Sequence, residues 1–272
     1  MKPSLSKEDI LEMSYTDFVG FINQWNVLPG AYSTLSKWAI YSRVNKNSNL
    51  LEVACTTGFS SRELAVLTEC RGEGFDISES SIAMANYNKK RYAPNIIFSY
   101  KIANGYNYKP KNKFTHIVVG AGLQFFPDPR KMLDRCIEML KDGGYILAAP
   151  FYVTRKIPNR LVRRAQKVFG ITPTNISYKE ITKLYGKLEI IYDDCKKLIP
   201  ETEDELAHYC RSTIDRACEI RNINNQKIYN IMYKRLFEIK KMSNNLRPYQ
   251  MYSVLILRYR SLIYPHRYTE LF

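Results

Sequence analysis

Two short motifs in the first third of the chain combine residue types that could hold a nucleoside. The first, Leu50 to Ser61, reads as a strand, a tight turn that contains Gly58, and the start of a helix. The second, Gly74 to Ser78, lies at the end of a further predicted strand and contains an acid, Asp76. An acid directly after the second strand of such a unit can accept hydrogen bonds from both ribose hydroxyls, while a tight turn lets the backbone approach the ligand. The spacing therefore predicts a site for an adenosine-containing cofactor.

The composition of the turn argues against a dinucleotide. Dinucleotide-binding folds place G-x-G-x-x-G at a helix N-terminus, where free backbone amides meet a pyrophosphate. Here Ala54 and Thr56 occupy glycine positions, and only Gly58 remains. We expect the turn to tolerate these side chains only if its backbone avoids positive φ at Ala54 and Thr56. A cofactor without a pyrophosphate is favoured.

The turn resembles the E-V-G-C-G-T-G motif of class I S-adenosylmethionine-dependent methyltransferases, and it reads here Glu52-Val53-Ala54-Cys55-Thr56-Thr57-Gly58. Two further blocks follow in the family's order. Lys113 to Pro129 is similar to the fourth strand and its loop, and Met139 to Leu147 is similar to the next helix and strand with a K-x-G-G turn. The resemblance covers roughly residues 46–153. It implies S-adenosylmethionine as the cofactor and methyl transfer as the activity.

The resemblance also implies which residues contact the cofactor. Asp76 stands at the family's ribose position, and Ile102 stands where many members carry an acid that binds adenine. Adenine would therefore rest on backbone and apolar walls. The implied cofactor residues are Glu52, Ala54, Cys55, Thr56, Gly58, Asp76, Ile77, Ile102, Ala103, Gly120 and Leu123.

Alternating strand and helix patterns over residues 50–153 must position these side chains. We predict strands at 50–55, 72–77, 96–102, 115–120 and 144–151, and helices at 60–69, 79–91 and 129–140. This alternation predicts an α/β fold with a mainly parallel sheet covered by helices on both faces. Because ligands bind outside the carboxyl ends of such strands, His116 near the start of its strand is predicted to be structural.

The rest of the chain is predicted to complete and cover this sheet. The resemblance implies a doubly wound, Rossmann-like sheet of seven strands, in which residues 188–193 and 249–260 supply the last two and the last strand is antiparallel. Predicted helices at 7–27 and 33–44 form an N-terminal helical cap over residues 1–45, and the methyltransferase domain spans 46–272. A helical stretch from 203 to about 242 is predicted as a lid insertion, at about 200–247.

The expected reaction requires a catalytic base only for some acceptors. Methyl transfer from a sulfonium is an in-line displacement, so alignment of the acceptor at ~3 Å is a large part of catalysis. A base is needed when the acceptor is a protonated amine or an alcohol. His208 on the predicted lid is the candidate catalytic residue, and a solvated helix histidine is the alternative.

Aromatic and polar residues near the predicted strand ends are candidates for the acceptor site. For Trp25 and Tyr32, packing in the core is an equal alternative. The predicted substrate-binding residues are Trp25, Tyr32, Gln124, Phe125, Tyr152, Arg155 and Tyr209.

The net charge of +15 is unevenly distributed. Residues 1–150 carry 18 basic and 14 acidic groups, whereas residues 151–272 carry 23 basic and 12 acidic groups. Within the second part, Arg160, Arg163, Arg164 and Lys167 would share one face of a helix. The excess favours an anionic acceptor or an acidic partner surface, and a solvated basic face is the alternative.

Three functions are compatible with these observations. The leading hypothesis is methyl transfer to nitrogen or oxygen of a small molecule, natural product or short peptide. An RNA methyltransferase is the alternative that the charge favours, although the loop after the fourth strand reads Gly120-Ala121-Gly122-Leu123-Gln124 instead of N/D-P-P-Y, and no RNA-binding module is visible. A cofactor-binding protein without catalysis is the third, because of Ala54, Thr56 and Ile102.

The sequence also predicts where the protein works. No apolar run reaches the ~18 residues of a membrane helix, and no secretory leader is visible. The 6 cysteines show no C-x-x-C pair and no zinc spacing. We therefore expect a cytoplasmic protein without a metal site. Its oligomeric state is left open.

Overall fold

A twisted sheet with helices on both faces forms the centre of the protein. The computed structural model describes residues 5–261. The strands are β1 (Asn49–Val53), β2 (Arg71–Asp76), β3 (Phe98–Ile102), β4 (Phe114–Gly120), β5 (Leu140–Ala148), β6 (Phe151–Val153), β7 (Glu189–Lys197) and β8 (Gln250–Arg258). The helices are α1 (Lys7–Glu12), α2 (Tyr15–Phe21), α3 (Ala31–Ser42), α4 (Phe59–Thr68), α5 (Glu79–Tyr92), α6 (Pro129–Met139), α7 (Asn159–Phe169), α8 (Tyr178–Leu184), α9 (Glu203–Arg221) and α10 (Gln226–Leu246).

The strand order confirms the predicted mainly parallel sheet. β3, β2, β1, β4 and β5 lie side by side in that order and are all parallel. β8 runs antiparallel between β5 and β7. The short strand β6 pairs with the other end of β8 and was not predicted as a separate strand. It is separated from β5 by Ala149 and Pro150, and a proline has no N–H to donate to a sheet ladder.

Apolar side chains on both faces of the sheet explain why it is covered by helices. On one face, Leu51 and Ile146 pack against residues of α6 and α8. On the other face, Leu50 and Leu147 pack against α3, α4 and α5. Neighbouring residues of a strand point to opposite faces, so adjacent buried leucines in β1 indicate a strand buried on both sides.

A separate helical layer joins the two ends of the chain. α1, α2, α9 and α10 share a core of buried side chains that includes Phe18, Ile214 and Met232. Arginines of α9 and α10 donate to backbone carbonyls where the N-terminal helices end: Arg221 Nε lies 2.5 Å from Phe21 O, and Arg235 binds the carbonyls of Ile10 and Met13. These bonds satisfy acceptors that a helix end leaves free. α7 packs on α10 through a further apolar cluster.

Two predicted helices are each broken into two by a polar residue. Ser14 caps α2, because its Oγ accepts a hydrogen bond from Asp17 N. The single helix predicted at 7–27 is therefore wrong, and two shorter helices, α1 and α2, lie there instead. Asn222, with φ of 52°, ends α9, and Asn225 caps α10. The predicted stretch 203–242 is therefore a helical hairpin. Serine and asparagine are favoured at such ends because their short side chains bind free backbone groups.

No helix within residues 5–261 combines the length and the apolar character needed to span a bilayer.

Candidate functional site

The turn between β1 and α4 has glycine-like backbone geometry despite its side chains. φ is 52° at Ala54, 46° at Thr56 and 75° at Gly58. The expectation that the turn tolerates these side chains only without positive φ is therefore wrong. L residues in the left-handed region cost roughly 1–2 kcal/mol each, so the surroundings must hold this conformation.

Backbone hydrogen bonds to the neighbouring strand and within the turn hold this conformation. Cys55 N donates to Phe75 O at 2.9 Å, and Gly58 N donates to Cys55 O at 2.8 Å. Tyr100 of β3 packs directly beneath Gly58, where a Cβ atom would lie 2.8 Å from the tyrosine ring. Both the positive φ and this close contact require glycine at position 58.

Asp76 connects the turn with the start of α5. Its Oδ2 accepts from Thr56 N at 3.0 Å, and its Oδ1 accepts from Ser78 N at 2.9 Å. Burial raises the pKa of Asp76 above its ordinary value, while the hydrogen bonds from the Ser78 and Thr56 amides oppose that rise. An ionised carboxylate has about four acceptor positions, so each oxygen keeps capacity for a further donor.

Two exposed isoleucines lie beside Asp76 at the carboxyl edge of the sheet. Ile77 is 69% exposed and Ile102 is 56% exposed. Ile102 is the register partner of Asp76, and Ala103 N donates to Asp76 O at 2.9 Å. The two side chains flank the Asp76 carboxylate and offer apolar surface next to it. This edge can cover a flat base by apolar contact.

Glu52 lies beneath α4 and anchors its first turn. Its carboxylate accepts hydrogen bonds from the backbone N and the hydroxyl of Ser61. The Ser61 hydroxyl is also 3.0 Å from the hydroxyl of Tyr100, which donates to Gly58 O at 3.2 Å. Burial raises the pKa of Glu52 to about 7. Through Ser61 and Tyr100, the contacts of Glu52 therefore stabilise the turn and the first turn of α4.

The N-terminal segment lies against the turn and against α5. Thr57 Oγ1 donates to Gln24 O at 2.8 Å, and Ser78 Oγ donates to an oxygen of Asp17 at 2.7 Å. At Gly20 the two helices touch, since a Cβ atom there would lie 2.3 Å from Ser81 N. Residues 17–24 thus close one side of the site.

The loop after β4 lies next to the turn and forms the opposite side of the site. Gly120 has φ of 51°, Leu123 is buried, and a Cβ atom on Gly122 would lie 3.9 Å from that of Ala54. Gln124 Oε1 accepts from the hydroxyl of Thr174 at 2.7 Å, and its buried Nε2 has no hydrogen-bond partner among the described residues.

The remaining predicted acceptor residues are distributed over several places. Trp25 and Tyr32 both contact Phe59 at the start of α4, and Tyr32 is 58% exposed. Phe125 is exposed beside Gln124, whereas Tyr152 is buried and packs on Tyr178. These residues border the carboxyl edge from two sides.

Three predicted residues lie outside this cluster. His208 is exposed on α9, where its carbonyl accepts a hydrogen bond from Ser212 Oγ. Tyr209 packs in the helical layer with Lys240 Nζ 4.3 Å from its ring centroid, and burial raises its pKa to about 12. Arg155 is exposed, with its guanidinium 4.6 Å from the ring centroid of Tyr249. None of these contacts joins them to the turn or to Asp76.

Sequence reasoning missed the polar residues that fasten the N-terminal segment to the turn, namely Asn23, Thr57 and Asn88. Asn88 is completely buried in a helix. A buried asparagine needs hydrogen-bond partners, but its partners are distant in sequence and no spacing rule indicates them.

The comparisons with known proteins agree with this geometry. A family model described as a methyltransferase domain matches residues 50–144, about a third of the chain. This segment contains the turn, Asp76, Ile102 and the loop after β4. No curated protein sequence matches the chain.

Solved structures share the fold over most of the chain. The crystal structure of MccD protein is 28% identical with a TM-score of 0.71, and the match covers 86% of this chain and 100% of that chain. A SAM-dependent methyltransferase from Geobacter sulfurreducens, in complex with S-adenosyl-L-homocysteine, is 15% identical with a TM-score of 0.66, covering 89% and 97%. The [4+2]-cyclase SpnF is 13% identical with a TM-score of 0.61, covering 85% and 81%.

The sheet order defines a Rossmann-like α/β fold with an antiparallel last strand. Residues 50–144 match a methyltransferase domain, and this match together with the shared fold supports a class I S-adenosylmethionine-dependent methyltransferase. Because such domains use S-adenosylmethionine, the match supports this molecule as the cofactor.

Proposed function

We propose that this methyltransferase methylates a nitrogen or oxygen atom of an anionic small molecule, natural product or short peptide. The proposal is based on one observation: two surfaces lie next to each other at the carboxyl edge of the sheet. On one side lie the glycine-like turn and Asp76, and on the other lies the loop after β4, where the buried Gln124 Nε2 has no hydrogen-bond partner among the described residues. A cofactor held on the first surface would lie beside the second surface, where an acceptor can bind.

The residues of the first surface suit S-adenosylmethionine. Asp76 retains acceptor capacity for ribose hydroxyls, and Ile77 with Ile102 offers apolar contact to adenine. The bent turn at Ala54 and Thr56 leaves no row of glycine amides for a pyrophosphate. When bound, the cofactor supplies an electrophilic methyl carbon on a sulfonium. The protein then has to orient the acceptor and keep water away from it.

An acceptor that carries an oxygen anion fits the second surface. Gln124 Nε2 is a buried donor, and the hydroxyl of Thr174 fixes the orientation of its amide. A buried donor without a partner costs about 1–3 kcal/mol, so an acceptor oxygen bound there would be stabilised. Arg155 and the exposed basic residues of α7 add positive charge after β6. A carboxylate or a phosphate is the complementary group.

A dedicated base is optional in this account. A carboxylate or phenolate acceptor brings its own electron pair, and only a protonated amine or an alcohol requires a base. His208 remains the candidate for that role, although its exposed position on α9 means that it would act only if α9 approached the acceptor. The proposed reaction therefore depends on the two surfaces to align the acceptor with the cofactor.

A direct assay tests this function. We would incubate the protein with S-adenosylmethionine and a panel of small carboxylates, phosphate monoesters, phenols and amines, and analyse the products by mass spectrometry. We expect a product heavier by one CH2 together with S-adenosylhomocysteine, and a strong reduction of both in a Gln124→Leu variant that still binds S-adenosylhomocysteine. Phe126→Leu, in the same loop, is the matched control and should retain activity.

Two results would contradict the proposal. Formation of methylthioadenosine in place of S-adenosylhomocysteine would show that a group other than methyl leaves the sulfonium. Cofactor binding without any turnover would favour a protein that uses this fold for another purpose, a candidate supported by the similarity to a [4+2]-cyclase.

A further inference from the structure

A pair of buried asparagines links the N-terminal segment to α5. Asn23 follows α2, and Asn88 lies near the end of α5. Nδ2 of Asn23 donates to Oδ1 of Asn88 at 2.9 Å, and Nδ2 of Asn88 donates to Oδ1 of Asn23 at 2.8 Å. The two residues are 1% and 0% exposed. Buried amides are stable only when their donors and acceptors are satisfied, so this pair fixes the position of both elements.

Asn88 makes one more contact, and that contact reaches the cofactor turn. Its Nδ2 also donates to Thr57 O at 3.2 Å. The side chain of Thr57 donates in turn to Gln24 O, next to Asn23. Thr57 is completely buried and lies between Thr56 and Gly58, both with positive φ. A non-glycine residue keeps such a conformation only when its surroundings fix it, and here Asn88 contributes to that restraint.

We propose that Asn88 is a positioning residue for the cofactor. Its amide holds the carbonyl of Thr57 and thereby the orientation of the turn that faces S-adenosylmethionine. The same Nδ2 also donates to Asn23 Oδ1, so one amide group contacts both the turn and the N-terminal segment. Arg216 of α9, whose Nη2 donates to Asn23 O at 3.2 Å, extends this connection to the helical layer. The inference rests on the cofactor site and is independent of the acceptor proposed above.

Two isosteric substitutions separate positioning from packing. Asn88→Asp removes the only side-chain donor to Thr57 O among residues 5–261 and places an oxygen against it. Asn23→Asp is the matched control, since Nδ2 of Asn88 can still donate to a carboxylate oxygen at position 23 and to Thr57 O. Each variant places one carboxylate in the same buried pair, so both are expected to lower the melting temperature, and Asn88→Asp should lower it more because it loses two donated bonds instead of one.

The measurement is calorimetric titration of S-adenosylhomocysteine into the full-length wild type and both variants, at a temperature where circular dichroism shows all three folded. We expect Asn88→Asp to raise the dissociation constant about tenfold or more, as for a buried hydrogen bond that is lost, and Asn23→Asp to raise it no more than about threefold. An equal increase in the two variants, or none in Asn88→Asp, overturns the positioning role.

A second pair of variants avoids the buried charge should Asn88→Asp fail to fold. Asn88→Ser removes the donor to Thr57 O without adding a carboxylate, and Asn23→Ser leaves that bond in place. The same order of affinities is expected, with Asn88→Ser the weaker binder. Failure of the wild type to bind S-adenosylhomocysteine would overturn the cofactor site together with this inference, whereas equal binding by the two serine variants would overturn this inference alone.

Discussion

Ala54 and Thr56 hold backbone conformations that glycine adopts freely and that L side chains adopt only at a cost. Several buried polar groups compensate for this cost. Asp76 accepts from Thr56 N, Asn88 donates to Thr57 O, and the Ser61 and Tyr100 hydroxyls lie beneath Gly58 next to Glu52. The individual residues around the turn therefore hold it in shape, and only some of them can also contact a ligand.

Glu52 makes stability depend on pH in a definite direction. Burial raises its pKa from the ordinary value of 4.5 to about 7, so the folded protein binds this proton more tightly than the unfolded chain. The stabilisation is fully present below the unfolded pKa and is lost as pH rises through about 7. Because proton binding is linked to folding, a pKa shift of this size corresponds to roughly 3 kcal/mol in the free energy of unfolding.

Glu52→Gln should remove this dependence. We would measure the free energy of unfolding by urea titration for the wild type and the variant at several values between pH 4.5 and pH 8. The difference between the two proteins cancels the contributions of other groups, including His116, whose pKa burial lowers. We expect the wild type to lose stability relative to the variant as pH rises. Parallel curves would show that Glu52 is ionised across the range.

At the scale of elements, the site depends on how closely α2 approaches α5. Ser78 begins α5, and its hydroxyl binds Asp17 of α2, while Gly20 allows the helices to touch at Ser81. Arginines of α9 and α10 hold the same N-terminal helices from the other side. The helical layer is thus connected to the cofactor turn through residues 17–24.

Gly20→Ala tests this contact. Alanine in a helix normally stabilises by up to about 1 kcal/mol relative to glycine. Here its Cβ would lie 2.3 Å from Ser81 N and 2.5 Å from Ser80 Oγ, so we expect destabilisation of roughly 1–3 kcal/mol and weaker binding of S-adenosylhomocysteine. Urea unfolding and calorimetry measure the two effects. Ser36→Ala, at an exposed position of α3, should change neither, and a stabilised Gly20→Ala protein would contradict the close contact.

At the scale of the whole molecule, the sheet and its carboxyl edge were predictable, whereas the helical layer was not. The strands are short apolar runs in a fixed order, so the sequence pattern predicts both their positions and the edge where Gly58 and Asp76 meet. The helical layer depends on contacts such as that of Arg221 with Phe21, which lie far apart in sequence and follow no local period. The lid position of His208 was inferred from element order alone, and order does not determine which face of a helix is exposed.

The most direct test of the account is calorimetric titration of the wild type, Asp76→Asn and Glu73→Gln with S-adenosylhomocysteine and, in parallel, with NAD. Glu73 lies on the same strand as Asp76 but away from the carboxyl edge, which makes it the matched control. We predict micromolar binding of S-adenosylhomocysteine by the wild type and Glu73→Gln, at least about tenfold weaker binding by Asp76→Asn, and no binding of NAD. Binding of NAD, or affinity for S-adenosylhomocysteine that is unchanged in Asp76→Asn, would contradict the assignment of the cofactor site.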